Sequence, residues 1–207
     1  MSPVPVIHRS TIVVVKDAEF LAWAIPFYLR REPQTILDAT YGLGRFWTNS
    51  PLTPLVTGID LIPRVPHVQK MDCTHTTFAS GSFDVVTYDP PHLSDSVSPH
   101  SSKIYLHAYG DAGRAEHAGV TFPAAFKEIS RLLVPGGICV TKIADMVNRA
   151  RAQWHHFQCA EAAREADLTW CDLLVKVRKS ALMSKWSHAY HARKYHCFWM
   201  VFRKGKC

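Results

Sequence analysis

Residues 83–95 read FDVVTYDPPHLSD. Phe83, Val85, Val86 and Tyr88 are bulky β-formers in a short apolar run, which predicts a buried strand. Asp89, Pro90, Pro91 and His92 then follow without a spacer. A proline has no amide hydrogen and a fixed φ, so the pair stops the strand and holds a stiff, extended turn. An acid and an imidazole are thereby set at the end of a buried strand, with direction imposed on both.

The pattern extends on both sides. Residues 17–31 predict a helix that Pro26 should kink or split. Strands are predicted at 35–40, 54–60 and 68–74, the last weaker, and then at 83–89. Residues 121–133 predict a helix ended by Pro135, Gly136 and Gly137. A fifth strand is predicted at 137–143, a helix at 149–166, and closing strands at 168–177 and 195–204. Strands alternating with helices specify an α/β protein: a Rossmann-like, doubly wound parallel sheet with helices on both faces. Ligands of such sheets sit at the carboxyl ends of the strands, near the switch point. Asp38, Asp60 and Asp89 stand at such ends, and Asp72 stands close to one.

DATYGLGRFW (38–47) sets Gly42 and Gly44 between a strand and the next turn. Glycines there let the backbone come close to a ligand. No Gly-Lys-Ser/Thr follows, so this is not a phosphate-binding P-loop. Trp47 stands where the dinucleotide fingerprint needs a third glycine, which argues against a nicotinamide cofactor. Asp60 ends the next strand, where an acid can accept both ribose hydroxyls.

These residues together resemble the class I S-adenosylmethionine-dependent methyltransferases. More narrowly, they resemble the amino-methyltransferases of nucleic acids, including small phage and bacterial DNA methyltransferases. Asp89-Pro90-Pro91-His92 matches that family's signature of Asp, Asn or Ser, then Pro-Pro and an aromatic residue, at three positions of four. Residues 38–44 resemble its cofactor loop, and 195–205 resemble its last strand. The resemblance spans roughly residues 35–205. It implies a seven-stranded sheet whose last strand is antiparallel and inserts between the fifth and sixth. It implies S-adenosyl-L-methionine as cofactor, held by Asp38, Thr40, Gly42, Gly44, Asp60 and Asp72, with Asp72 near the adenine amine.

The resemblance also implies a catalytic group of Asp89, Pro90, Pro91 and His92. An exocyclic amine of a base is a weak nucleophile because its lone pair is delocalised into the ring. A carboxylate from Asp89 and the Pro90 carbonyl would accept its N–H groups and favour the pyramidal form. His92, where the family carries a larger aromatic ring, would stack on a base taken out of its duplex. Asp rather than Ser at 89 points to adenine N6 in DNA. RNA bases, cytosine N4 and a non-catalytic nucleic-acid-binding subunit are the alternatives.

Bulk properties fit this reading. A chain of 207 residues, 47% hydrophobic and 20% charged, suits a single domain with a sizeable core. It carries no apolar run long enough for a membrane span and no signal-peptide layout, so a cytoplasmic protein with no membrane partner is expected. Residues 1–150 hold 13 basic and 13 acidic side chains, and residues 151–207 hold 11 and 4. The excess of +7 is thus confined to the last quarter. A solvated basic face and a polyanion partner, most often nucleic acid, account for it equally well, and the resemblance implies nucleic acid, with DNA favoured over RNA. Lys142 and the basic segment 176–194, through Lys176, Arg178, Lys179, Lys185, His188 and Arg193, are the expected contacts.

Residues 92–120 predict a substrate loop. A chain this short leaves little room for target recognition, so specificity should be short or come from a partner. His188, His191, His196 and Cys197 match no common zinc spacing, and no metal is expected. Six cysteines without a CxxC pair predict reduced thiols. Trp154, Phe157 and Trp170 are expected in the core.

Overall fold

The computed structural model describes residues 10–90, 122–148, 151–178, 191–192 and 194–207. Pro91, His92, the rest of the expected substrate loop at 92–120, Lys179, Lys185, His188 and Arg193 lie outside the described residues.

In chain order the strands are β1 (Ile12–Val13), β2 (Ile36–Asp38), β3 (Val56–Asp60), β4 (Gln69–Lys70), β5 (Phe83–Tyr88), β6 (Leu133–Ile143), β7 (Met146–Asn148), β8 (Arg151–Gln153), β9 (Leu168–Val177) and β10 (His196–Lys204). The helices are α1 (Asp17–Leu29), α2 (Phe122–Leu132) and α3 (His155–Glu165). Among the described residues the main sheet has eight strands, in the order β1-β9-β10-β6-β5-β2-β3-β4. Strands β6, β5, β2, β3 and β4 run parallel. β10 lies antiparallel between β6 and β9, at the position expected of the last strand. The eighth member is β1, a two-residue strand parallel to β9 that lengthens the expected seven-stranded sheet by one edge.

Alternate side chains of the central strands feed two cores, because successive Cβ atoms point to opposite faces. Val85, Val140, Trp199 and Val201 pack with Phe20, Leu21, Ala24 and Ile25 of α1. Val86, Cys139, Met200 and Phe202 pack with Phe126, Ile129 and Leu132 of α2 and with Ala162 and Ala163 of α3. All six residues of β5 are buried, as a central parallel strand covered on both faces requires. Each large apolar side chain so buried contributes ~1.5–3 kcal/mol.

Several local expectations are corrected. α1 is one helix through Pro26, whose carbonyl accepts the Arg30 N–H at 2.9 Å where the chain turns left-handed. Pro135 and Gly136, together with Gly137, lie inside β6, which begins at Leu133 instead of at 137. They form an irregularity opposite β5, with Gly136 at φ 78° and no room at Gly137 for a Cβ, which would stand 2.9 Å from the Asp84 carbonyl. The helix expected from 149 begins at His155, because β7 and β8 pair antiparallel just before it. Favourable helix propensity in Arg151 and Ala152 is overridden there by strand pairing.

Trp154, Phe157 and Trp170 are not in the core; they are 52%, 58% and 45% exposed. α3 spends its inner face on Cys159, Ala162 and Ala163, which leaves Phe157 outside. Cys171 and Cys207 form a disulfide, with Cα atoms 5.6 Å apart, where reduced thiols were expected. The pairing is spatial, between β9 and the segment after β10, and no local motif announces it. Among the described residues no helix is long and apolar enough to cross a membrane.

Candidate active site

The carboxyl ends of β2, β3 and β5 are neighbours in the sheet, so Asp38, Asp60 and Asp89 converge on one edge. Asp38 is 1% exposed. Its Oδ2 accepts the indole N–H of Trp47 at 2.7 Å, and its Oδ1 accepts the Thr40 N–H at 3.1 Å. Burial pushes its carboxyl up to about 7 against the pull of those two donors, with the nearby Asp89 and Asp60 carboxylates adding to the rise.

Gly42 and Gly44 both have left-handed backbone, at φ 55° and 69°. A Cβ on Gly44 would fall 2.7 Å from the Tyr41 ring, and one on Gly58 of β3 would also meet that ring. The loop thus folds over Tyr41, whose hydroxyl lies 3.0 Å from Nε2 of His67. Asp60 closes the loop. Its Oδ2 accepts the Gly42 N–H at 2.8 Å and its Oδ1 accepts the Ile62 N–H at 2.9 Å. The hydroxyl of Thr40 accepts the Asp89 N–H at 2.8 Å, which joins the glycine loop to the acid turn. Pro90 is buried beside it. Asp72 is exposed beyond β4 and accepts the Thr74 N–H at 2.8 Å. β4 is tied to β3 by the Met71 N–H on the Asp60 carbonyl, at 3.0 Å.

A second set of charges abuts this edge. Lys142, near the end of β6, has its ammonium 2.6 Å from Oδ2 of Asp17 and 4.0 Å from Oδ2 of Asp89. It also lies over the rings of Phe46 and Trp199, 5.3 and 5.6 Å from their centroids. Burial pushes the Lys142 pKa down, but the Asp89 and Asp17 carboxylates outweigh it and leave it raised. Lys176 lies 3.0 Å from Oδ1 of Asp17 and donates to the Val15 carbonyl. Burial raises the Asp17 carboxyl and the two ammonium groups outweigh it, so the group stays below its usual range. Lys142 and Lys176, expected to face nucleic acid, therefore direct their ammonium groups inward to Asp17. Their side chains are 16% and 14% exposed. Arg178 follows β9 and donates its N–H to the Tyr195 carbonyl at 2.7 Å.

Sequence reading missed Asp17, Tyr41 and Gly58. Asp17 carried only the signal of an acid opening a helix. Among the described residues no three His, Cys, Asp or Glu side chains are grouped to hold a metal ion.

The chain matches no protein-family model and no curated protein in sequence. Solved structures do match. The N-methyltransferase NodS of Bradyrhizobium japonicum aligns over 92% of this chain and 94% of its own, with 14% identity and a TM-score of 0.50. The 1,6-didemethyltoxoflavin-N1-methyltransferase of Burkholderia thailandensis, solved with its substrate and S-adenosylhomocysteine, aligns over 92% of this chain and 79% of its own. Identity there is 16% and the TM-score 0.51. The chain has the class I methyltransferase fold. A candidate DNA modification methylase of Thermus thermophilus aligns over 63% of this chain, with 17% identity and a TM-score of 0.41. This chain spans 48% of that protein.

Proposed function

We propose that the chain is an S-adenosylmethionine-dependent methyltransferase acting on an exocyclic amino group of a nucleic-acid base, with adenine N6 in DNA as the favoured target. The bond from the Asp89 N–H to the Thr40 hydroxyl carries the reading, because it makes the glycine loop and the acid turn one unit. A cofactor held by Asp38, Thr40, Gly42, Gly44, Asp60 and Asp72 would lie against the turn that presents Asp89. Bound there, S-adenosylmethionine supplies an electrophilic methyl group on its sulfonium.

The residues of the turn act on the amine. Asp89 accepts one N–H through its carboxylate and the Pro90 carbonyl accepts the other, which localises the nitrogen lone pair. The proton lost from the amine passes to water. Lys142 sits at 4.0 Å to balance the acceptor's charge. Pro91 and His92 complete the motif, His92 as the ring that stacks on the extruded base. Arg178, Lys179, Lys185, His188 and Arg193 take the phosphates. Aspartate at 89, in place of serine, favours adenine over cytosine.

The test is incubation with tritiated S-adenosylmethionine and separate DNA and RNA pools, followed by nucleoside mass spectrometry. N6-methyladenine in the DNA pool is the expected product. Label in RNA alone replaces DNA by RNA. Label in neither pool, with S-adenosylhomocysteine still bound, sends the search to small amines.

A further inference from the structure

We infer that the surface where α3 begins and β10 begins is a stacking platform for an unpaired strand of nucleic acid, at the same end of the sheet as the proposed site. The inference rests on the nucleic-acid reading above and adds where the strand lies. Four rings form a contiguous row from exposed Trp154 through half-buried His156 and His196 to Phe198, which packs against the core. Trp154 and His156 have centroids 6.3 Å apart, His156 and Phe198 4.7 Å, and Phe198 and His196 5.1 Å. Trp154 is 52% exposed, and Phe157, three residues on and bonded through its N–H to the Trp154 carbonyl, is 58% exposed. Large rings left this open in a chain with two filled cores are a cost to the folded protein unless something covers them.

The row is held in place from below. Asp145, 2% exposed, accepts the His156 N–H at 3.2 Å and lies 2.8 Å from the ring Nδ1 of the same residue. The His155 ring is fixed likewise, with Nδ1 3.0 Å from the Ala144 carbonyl. The position is set by the sheet. Phe198 pairs with Ile143 at the carboxyl end of β6, the end at which Asp89 lies, and packs on the α2–α3 face, opposite Trp199 and Lys142. The platform therefore lies at the same end of the sheet as the proposed site, on its α3 face.

Charge identifies the occupant. The ammonium of Lys194 stands 4.8 Å from the Trp154 ring centroid, and the whole +7 excess of the chain falls within residues 151–207. An exposed ring capped by a cation, in the basic quarter of the chain, fits a polyanion that offers flat faces, which is a strand with its bases unpaired. A duplex keeps those faces stacked inside.

Binding of fluorescein-labelled oligothymidylate, read by anisotropy without cofactor, tests this. The Trp154→Ala, Phe157→Ala double variant should bind about tenfold or more weakly. Trp154→Tyr should stay near wild type. Circular dichroism checks that these exposed changes leave the fold intact. Strand binding by a wild-type chain that methylates neither pool still supports the platform while the methylation reading falls. Oligouridylate losing affinity in the same double variant also supports it, since every base has a stacking face. Unchanged affinity in the double variant overturns the inference. So does a thymine–adenine duplex that competes as well as the single strand.

Discussion

The Thr40 hydroxyl accepts the backbone N–H of Asp89 at 2.8 Å, across the sheet from β2 to β5. One side chain of the glycine loop thus sets the height of the acid turn. Thr40→Val keeps the shape and removes the acceptor. We expect turnover to fall roughly tenfold or more, since small misplacements of a reacting group cost that much. The KM for S-adenosylmethionine should rise as well, because Thr40 is also placed in the cofactor site, and Thr40→Ser should restore the rate. Steady-state kinetics with the substrate found by mass spectrometry checks this. A matched rise in KM without loss of kcat would place Thr40 in cofactor binding alone.

Asp38 predicts a pH dependence of cofactor binding. Its carboxyl is pushed up to about 7 by burial, so near neutrality the free protein holds part of its population protonated there. A cationic ligand nearby favours the ionised form. Binding should therefore release a proton, and affinity should rise with pH as it passes through about 7. Calorimetry in buffers of different ionisation enthalpy measures the release. Asp38→Asn should abolish it, and a wild type without proton release would sink the assignment.

Glu128 governs acid stability on the far side of the sheet. Its carboxylate accepts the Thr76 N–H and hydroxyl at 2.8 and 2.7 Å and takes two donors from Arg131 at 2.9 and 2.6 Å. Burial alone would raise its pKa. Arg131 and Thr76 outweigh it and bring the value to about 2, from 4.5 in an unconstrained chain. A depressed carboxylate contributes stability above the unfolded value and loses it as pH falls through the folded one. Glu128→Gln should cost on the order of 2–3 kcal/mol at neutral pH, and the gap should close between about pH 4.5 and 2. Urea unfolding across that range tests it. A gap that stays constant would mean the bonds, not the charge, carry the effect.

The sequence announced the sheet because its signals were local. β5 is an unbroken buried run, and the acids at 38, 60 and 89 stand where such apolar runs end. The insertion of β10 between β6 and β9 was legible only through family resemblance, since pairing order leaves no trace in local pattern. What escaped reading was non-local. Asp17 and Lys142 are far apart in the chain yet 2.6 Å apart in space. Trp154 and Phe157 looked like core because large rings usually are. Their exposure follows from which face of α3 the small residues Cys159, Ala162 and Ala163 occupy.

The same buried pairs decide how salt should act on substrate binding. Counterion release depends on the cations that neutralise phosphates, with a slope of about −0.9 per phosphate on duplex DNA and about −0.7 on single strands. Lys142 and Lys176 have their ammonium groups on Asp17. Replacing either by Met should leave the slope of log K against log[salt] unchanged, although Lys142→Met should weaken turnover by leaving Asp17 and Asp89 without their shared counter-charge. Arg178→Ala with Lys194→Ala should flatten the slope by up to about two phosphates' worth. Anisotropy titrations over a salt series separate the two groups. A flatter slope in Lys142→Met would show that this ammonium leaves Asp17 for a phosphate when substrate binds. A slope near zero in wild type would reduce the basic quarter to a solvated face and remove nucleic acid as the substrate.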